Sequence, residues 1–267
     1  MHSKDHQPFF LQLSAELQQQ LSTLTKEREA AIEKMQALGA NTDELTQMNL
    51  VAYMVQDDNL LLRPLAASRL GEIGDSVMID ALLMLTKDAD DVEIRILAVQ
   101  VLGDIGHDDT VEALSDALHD DDDSEVRLRA ALALGKTGSK LAIGSLSQAM
   151  QRDRDMKVRQ HAIEALGIIG DEALIPALVT IMENDSNKET RTFAAEALGR
   201  IGHEDAFQPL VDALQNTDFP PIVRYYAAHA LGLLGDKRAI EALQIATSDS
   251  HSWVAQMAGE SLEKLES

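Results

Sequence analysis

Cysteine is absent from this chain of 267 residues, which removes disulfides, thiolate metal sites and cysteine nucleophiles from consideration. Aromatic residues make up only 3% of it, too few for the aromatic and β-branched runs that build sheets. Basic residues are scarce as well: 23 Lys and Arg stand against 45 Asp and Glu, a formal net charge of -22. Such a chain repels a phosphate backbone, whose binding relies on counterion release by Lys and Arg, so nucleic acid is not an expected ligand. No run reaches the 18 or more apolar residues of a membrane span, and the first twenty residues lack the apolar stretch of a signal peptide. The expectation is a soluble, cytoplasmic protein without a membrane span.

What the chain does have is repetition. Six Leu-Gly pairs are each followed three residues later by a second glycine, and the first glycines, Gly71, Gly103, Gly135, Gly167, Gly199 and Gly232, are spaced 32, 32, 32, 32 and 33 residues apart. A fixed period of 20 to 50 residues marks a stack of units, each able to bury its apolar face only against its neighbours. The segments ending at these glycines align as LLRPLAASRLGEIG, EIRILAVQVLGDIG, EVRLRAALALGKTG, KVRQHAIEALGIIG, ETRTFAAEALGRIG and IVRYYAAHALGLLG. With the residue before each Arg counted as offset 0, offsets 0, 3, 4, 5, 7 and 8 are mostly apolar and offsets 1, 2, 6 and 10 mixed or polar. That is the 3.6-residue pattern of an amphipathic inner helix with a broad buried face. Small residues such as Ala194, Ala195 and Ala197 let neighbouring helices approach closely, and the second glycines suit the left-handed residue that ends a helix.

A partner, outer helix follows each turn. Asp75, Asp108 or Asp109, Ser139, Asp171, Glu204 or Asp205, and Asp236 are its expected caps, with Pro176 and Pro209 in its first turns. The predicted fold is therefore all-α, an α-solenoid of about seven two-helix repeats over residues 43–265, preceded by a helical segment over residues 1–40. Leu17, Leu21, Leu24, Ile32, Met35 and Leu38 near heptad spacing make that segment a cap for the first repeat or, alternatively, a dimer seam. The chain is thus expected to be a monomer or a dimer through this helix. At the other end WVAQMAGESLEKLES keeps the inner-helix register without the Leu-Gly pair, as a terminal capping repeat does.

Arg63, Arg95, Arg127, Arg159, Arg191 and Arg224 stand eight residues before their glycines. Asp57, Asp121, Asp153, Asp185 and Asp218 stand six residues before five of them, with Asp88 or Asp90 nearest to Arg95. An aspartate in the turn between the two helices can cap the inner helix, and the arginine can bridge to aspartates of its own and the adjacent repeat. Stacking turns these pairs into a structural ladder rather than an anion clamp. With this turn aspartate, the recurring VR-x-x-A-A-x-A-L-G-x-x-G resembles the HEAT repeats of the phycobilisome-lyase-like class, over roughly residues 43–265.

That class includes phycobilin lyases of the E/F type, and RYYAAHALG around Tyr225, Tyr226 and His229 is similar to a YYAA segment of those lyases. The tryptophans that follow it there are His229 and Ala230 here. The resemblance implies a phycobilin lyase subunit or bilin chaperone as the alternative function, with a linear tetrapyrrole as ligand. Deoxyhypusine hydroxylases are a second relative, holding iron through His-Glu pairs after the repeat arginine. Here those positions read Leu128-Arg129, Gln160-His161, Thr192-Phe193 and Tyr225-Tyr226, which leaves no such ligand set. HEAT-like DNA glycosylases need a basic face that this chain lacks. The run from Asp120 to Asp123 has neither the glycine nor the distal glutamate of an EF-hand loop, and His107-Asp108 and His203-Glu204 occupy equivalent turns where a capping role is expected. No nucleophile with a base, phosphate loop or zinc spacing occurs.

The remaining surface is the concave face expected from offsets 2, 6 and 10 of the inner helices. It carries Ile96, Leu128, Leu132 and Ile168, then Gln160, Glu164, Thr192 and Glu196, and finally Tyr225 and His229. An apolar centre with an acidic flank and an aromatic end has the composition of a protein interface. The expected function is a scaffold or adaptor that holds a partner protein there, with no cofactor, no metal and no chemistry of its own.

Overall fold

The structure, a computed structural model, describes residues 44–56, 62–73 and 79–266. The segment over residues 1–40, with its cap or dimer seam, lies outside the described residues, as do Asp57, Gly74 and Asp75. Helices account for all regular structure among the described residues, and no strand occurs there. Contacts divide the chain into two units, residues 1–78 and 79–267. In the first, α1 (Glu44–Gln56) packs on α2 (Leu62–Ile73), burying Leu50, Met54, Ala66 and Leu70.

The second unit holds six helix pairs. They are α3 (Ile79–Asp88) with α4 (Val92–Ile105), α5 (Val111–Asp120) with α6 (Ser124–Thr137), and α7 (Ile143–Arg152) with α8 (Met156–Ile169). Then follow α9 (Ile175–Asn184) with α10 (Lys188–Ile201), α11 (Phe207–Gln215) with α12 (Pro221–Leu234), and α13 (Ile240–Ala246) with α14 (Ser252–Glu266). From α4 to α12 each even-numbered, inner helix packs on its own outer helix and on the inner helix of the next repeat, and α14 packs on α13, whereas the outer helices of this unit touch one another only weakly. Close inner and loose outer spacing puts the inner helices on the concave side of this unit.

The first glycines set the inner spacing. A Cβ on Gly135 would lie 2.9 Å from both Cα and Cβ of Ala165, and one on Gly199 would lie 2.6 Å from both atoms of Ala230. Gly103, Gly167 and Gly232 meet Ala133, Ala197 and Ser261 in the same way. Offset 9 of each repeat thus lies against offset 7 of the next, and only glycine opposite a small residue permits the approach. The preceding leucines, Leu102, Leu134, Leu166, Leu198 and Leu231, are fully buried, each contributing roughly 1.5–3 kcal/mol of apolar burial.

The second glycines end the helices as the sequence leads one to expect. Gly106, Gly138, Gly170, Gly202 and Gly235 have φ between 63 and 75°, and each donates its N–H back into the last turn, as from Gly106 to the Leu102 carbonyl at 3.1 Å. A single 3-10 turn then leads from each of these five glycines into the following outer helix. Its caps are Ser139, Asp171 and Asp236, as expected, but in two repeats they are His107 and His203 rather than the following acids. Each imidazole Nδ1 accepts the N–H two residues on, at 3.3 Å from Asp109 and from Asp205. The geometry selects the residue directly after the glycine, whichever acceptor it carries. Pro176 falls at the second position of its helix, and Pro209 at the third, where no intrahelical N–H bond is lost.

Candidate functional site

The arginine ladder is real but runs differently from its simplest reading. Arg127 donates through Nε and Nη2 to the carboxylate of Asp153 in the next repeat, at 2.9 and 3.2 Å, and through Nη1 to the backbone carbonyls of Asp121 and Asp122. Arg95 binds Asp121 and the Ala89 carbonyl in the same fashion, and Arg224 binds Asp249 and the Phe219 carbonyl. Each arginine therefore takes its carboxylate from the neighbouring repeat and only a backbone oxygen from its own. In the Arg127–Asp153 pair the two side chains are 3% and 7% exposed. Such bidentate, charge-assisted bonds fix the spacing of neighbouring repeats.

Three sequence-level assignments change here. The turn aspartates do not cap the inner helices: Asp121, Asp153 and Asp185 instead accept the N–H two residues on, and Asp91, Asp123, Asp155 and Asn187 are the caps. Asp90 offers Arg95 only its backbone carbonyl, at 3.4 Å, and the carboxylate comes from Asp121; the side chain of Asp88 lies outside the described residues. Asp218 is not a rung. The turn before Arg224 is longer than the others, so Asn216 occupies the equivalent position and Asp218 is exposed.

The ladder is also interrupted. Arg159 keeps only the Asp153 carbonyl, at 2.8 Å, and makes no ion pair with Asp185. Arg191, facing the neutral Asn216 turn, donates to the Met182 carbonyl and lies over the Phe219 ring at 4.4 Å. Burial lowers its pKa, against the pull of Asp185, whereas the Asp121 carboxylate raises that of Arg95.

On the inner helices the exposed face is shifted by one residue from its expected place. Leu128, Gln160 and Thr192, at offset 2, are buried, and Gln160 Nε2 donates to Thr190 Oγ1 at the start of the next inner helix. The reason is periodic. Offsets 2 and 9 are a heptad apart and share the side that meets the next inner helix. Gly135 and Leu128 consequently face the seam, and Leu128 is not an exposed anchor. Ile96 and Tyr225, also at offset 2, are half-buried.

Offsets 3, 6 and 10 line the open side. Leu132, Glu164, Glu196 and His229 are half-buried at offset 6, and Ile168 is 46% exposed at offset 10. Offset 3, treated as apolar core from sequence, places Arg129, His161, Phe193 and Tyr226 half-exposed beside them. The signal was present in those residues: four successive repeats put a polar or aromatic residue where α4 has the buried Leu97. Same-offset residues of adjacent repeats touch, as Lys136 Nζ does Asp104 Oδ1 at 2.7 Å and His161 does Phe193, with ring centroids 6.0 Å apart.

Aromatic rings collect at the far end of this face. Tyr225 lies 5.3 Å from Tyr226 and 5.6 Å from Trp253, which in turn lies 5.9 Å from His251. Trp253 is 38% exposed. The Tyr226 hydroxyl pKa is raised, first by burial and then by the nearby Glu196 and Tyr225. Beside them His229 Nδ1 is buried without a hydrogen-bond partner, a state that costs about 1–3 kcal/mol while it lasts.

No helix among the described residues is long and apolar enough to cross a membrane. No curated protein gives a significant sequence match. Solved structures do. The complex of CpcE and CpcF of phycocyanin lyase from Nostoc sp. PCC7120 matches with 25% identity and a TM-score of 0.50, over 85% of this chain and 97% of that one. YibA of Escherichia coli matches with 18% identity and a TM-score of 0.57, over 95% of this chain and 97% of that one. Kap121p bound to Pho4p matches with 14% identity and a TM-score of 0.51, over 86% of this chain and 33% of that one. The model of the HEAT-repeat family matches residues 85–167, 143–220 and 208–267. With its period, paired helices and glycine seams, the chain belongs to the HEAT-repeat family.

Proposed function

We propose that this protein is a scaffold or adaptor that holds a partner protein on the open face of its inner helices, without chemistry of its own. HEAT repeats suit a protein-interaction scaffold, because stacked helices present side chains in parallel rows. The observation that carries the reading is the collection of half-exposed Phe193, Tyr225, Tyr226 and Trp253 on one face of a chain with 3% aromatic residues. Aromatic anchors beside a polar rim dominate binding at protein interfaces. Leu132 and Ile168 extend the face towards the middle repeats. Affinity purification with cross-linking and mass spectrometry identifies the partner and its contact residues. Phe193→Asp with Tyr226→Asp is expected to abolish capture while the far-ultraviolet dichroism stays helical. Undiminished capture by a folded variant would move the site elsewhere.

The alternative is a phycobilin lyase subunit or bilin chaperone, supported by the likeness to the phycocyanin lyase complex and by Tyr225-Tyr226. A linear tetrapyrrole mixed with the purified protein would then shift in absorbance.

A further inference from the structure

The open face has a chemical bias towards its far end. At offsets 3 and 6 of α8, α10, α12 and α14 stand three carboxylates, Glu164, Glu196 and Glu260, and no Lys or Arg. The basic residues of this region sit at the ends of the rows: Lys157, Arg200 and Lys264. Arg200 is already held by Glu196 at 2.7 Å. Between and beside the carboxylates lie the rings of Phe193, Tyr225, Tyr226 and Trp253.

The protein itself shows what such rings accommodate. Arg191 lies 4.4 Å above Phe219 and Arg238 4.5 Å above Phe207, so two aromatic rings of this chain already carry a guanidinium from within. Among the described residues, none of the rings of the open face has a cation over it. A guanidinium gains from the negative face of an aromatic ring, and more when a carboxylate stands nearby. The net charge of -22 adds a long-range attraction for any basic ligand.

We propose that the aromatic end of the open face, from Glu164 to Glu260, binds an arginine-rich segment of the partner protein, its guanidinium groups stacking on Tyr225, Tyr226 and Trp253 between the carboxylates. This rests on the scaffold reading above and names the chemistry of its partner.

Trp253 is the only tryptophan, which makes its emission a site-specific reporter. The probe is a ten-residue peptide of alternating arginine and glycine, with a glutamate and glycine peptide as control, titrated into the full-length protein. Saturable change in emission with the first and none with the second is expected. Tyr226→Leu, and separately Glu164→Gln with Glu260→Gln, should each weaken the response by about tenfold. Glu112→Gln with Asp116→Asn removes the same charge from the outer helix α5 and should change it less than about twofold. No response, or an equal loss in the α5 variant, overturns the proposal by showing no site or only attraction to the net charge. A response to a linear tetrapyrrole, lost in Tyr226→Leu, with none to the peptide also overturns it. Partner capture that Phe193→Asp with Tyr226→Asp abolishes, in a protein that ignores the peptide, would sink this chemistry and leave the scaffold reading standing.

Discussion

Two stretches of the second unit share one glycine seam and differ in their electrostatic fastening. From α4 through α6 to α8, Arg95 and Arg127 are each clamped to an aspartate of the next repeat. From α8 through α10 to α12, Arg159 and Arg191 hold backbone carbonyls and a ring instead. Apolar stacking is the same in both, since Gly135 and Gly199 meet Ala165 and Ala230 alike. Helix stacking therefore makes the array, and the ladder only stiffens parts of it. The unclamped stretch is also where the aromatic face begins, at His161 and Phe193.

The largest effect is expected from Arg127→Ala. It strands Asp153, 7% exposed, without its counter-ion, and removing one partner of a buried pair costs about 3–5 kcal/mol. Chemical denaturation of the variant measures it. A loss below about 1 kcal/mol would show that the clamp is as weak as a surface pair.

Next comes Gly199→Ala, whose new Cβ meets Ala230 at 2.6 Å. Overpacking of this kind costs about 1–3 kcal/mol. Gly135→Ala, against Ala165, should cost a similar amount, because the seam does not depend on the ladder. Unequal losses would tie the seam to the clamps and break the comparison.

Arg159→Ala should cost less than Arg127→Ala, about 1 kcal/mol, since it removes a hydrogen bond to a carbonyl and no ion pair. Hydrogen exchange sharpens the point: amides of α10 are expected to open at lower free energy than those of α6.

The smallest effect is acidic. Hydrogen bonding from Arg224 holds the Asp249 pKa below its ordinary 3.8. A carboxylate depressed on folding contributes stability that is present above that value and lost as pH falls through the lower, folded one. Thermal melting of the wild type should therefore fall below about pH 4, and Asp249→Asn should flatten part of that decline. An unchanged pH profile would deny the terminal rung any energetic role.

The glycines that end helices could be read directly, as could the outer-helix caps Ser139, Asp171 and Asp236, but not the inner-helix caps. Gly106 and Asp171 act through their own backbone geometry or a neighbour two residues away, which are local matters. The repeat period, the all-helical class and the arginine register were legible for the same reason. The open face was not. Leu128 and His161 lie one offset apart, and which of them faces solvent depends on the side from which the next inner helix arrives.

By itself, the sequence determined an α-solenoid of stacked helix pairs, because amphipathic helices with glycine ends recurring every 32 residues bury their leucines only against neighbouring repeats. Only the tertiary structure decided the rest. The 2.6–2.9 Å approach at the glycines fixes the rotation of each inner helix about its axis. That rotation buries Leu128 and Gln160 and brings Tyr225 against Trp253. It also gives each clamped arginine the aspartate of its neighbour, 25 or 26 positions on, where the sequence had left its own repeat and the adjacent one both open.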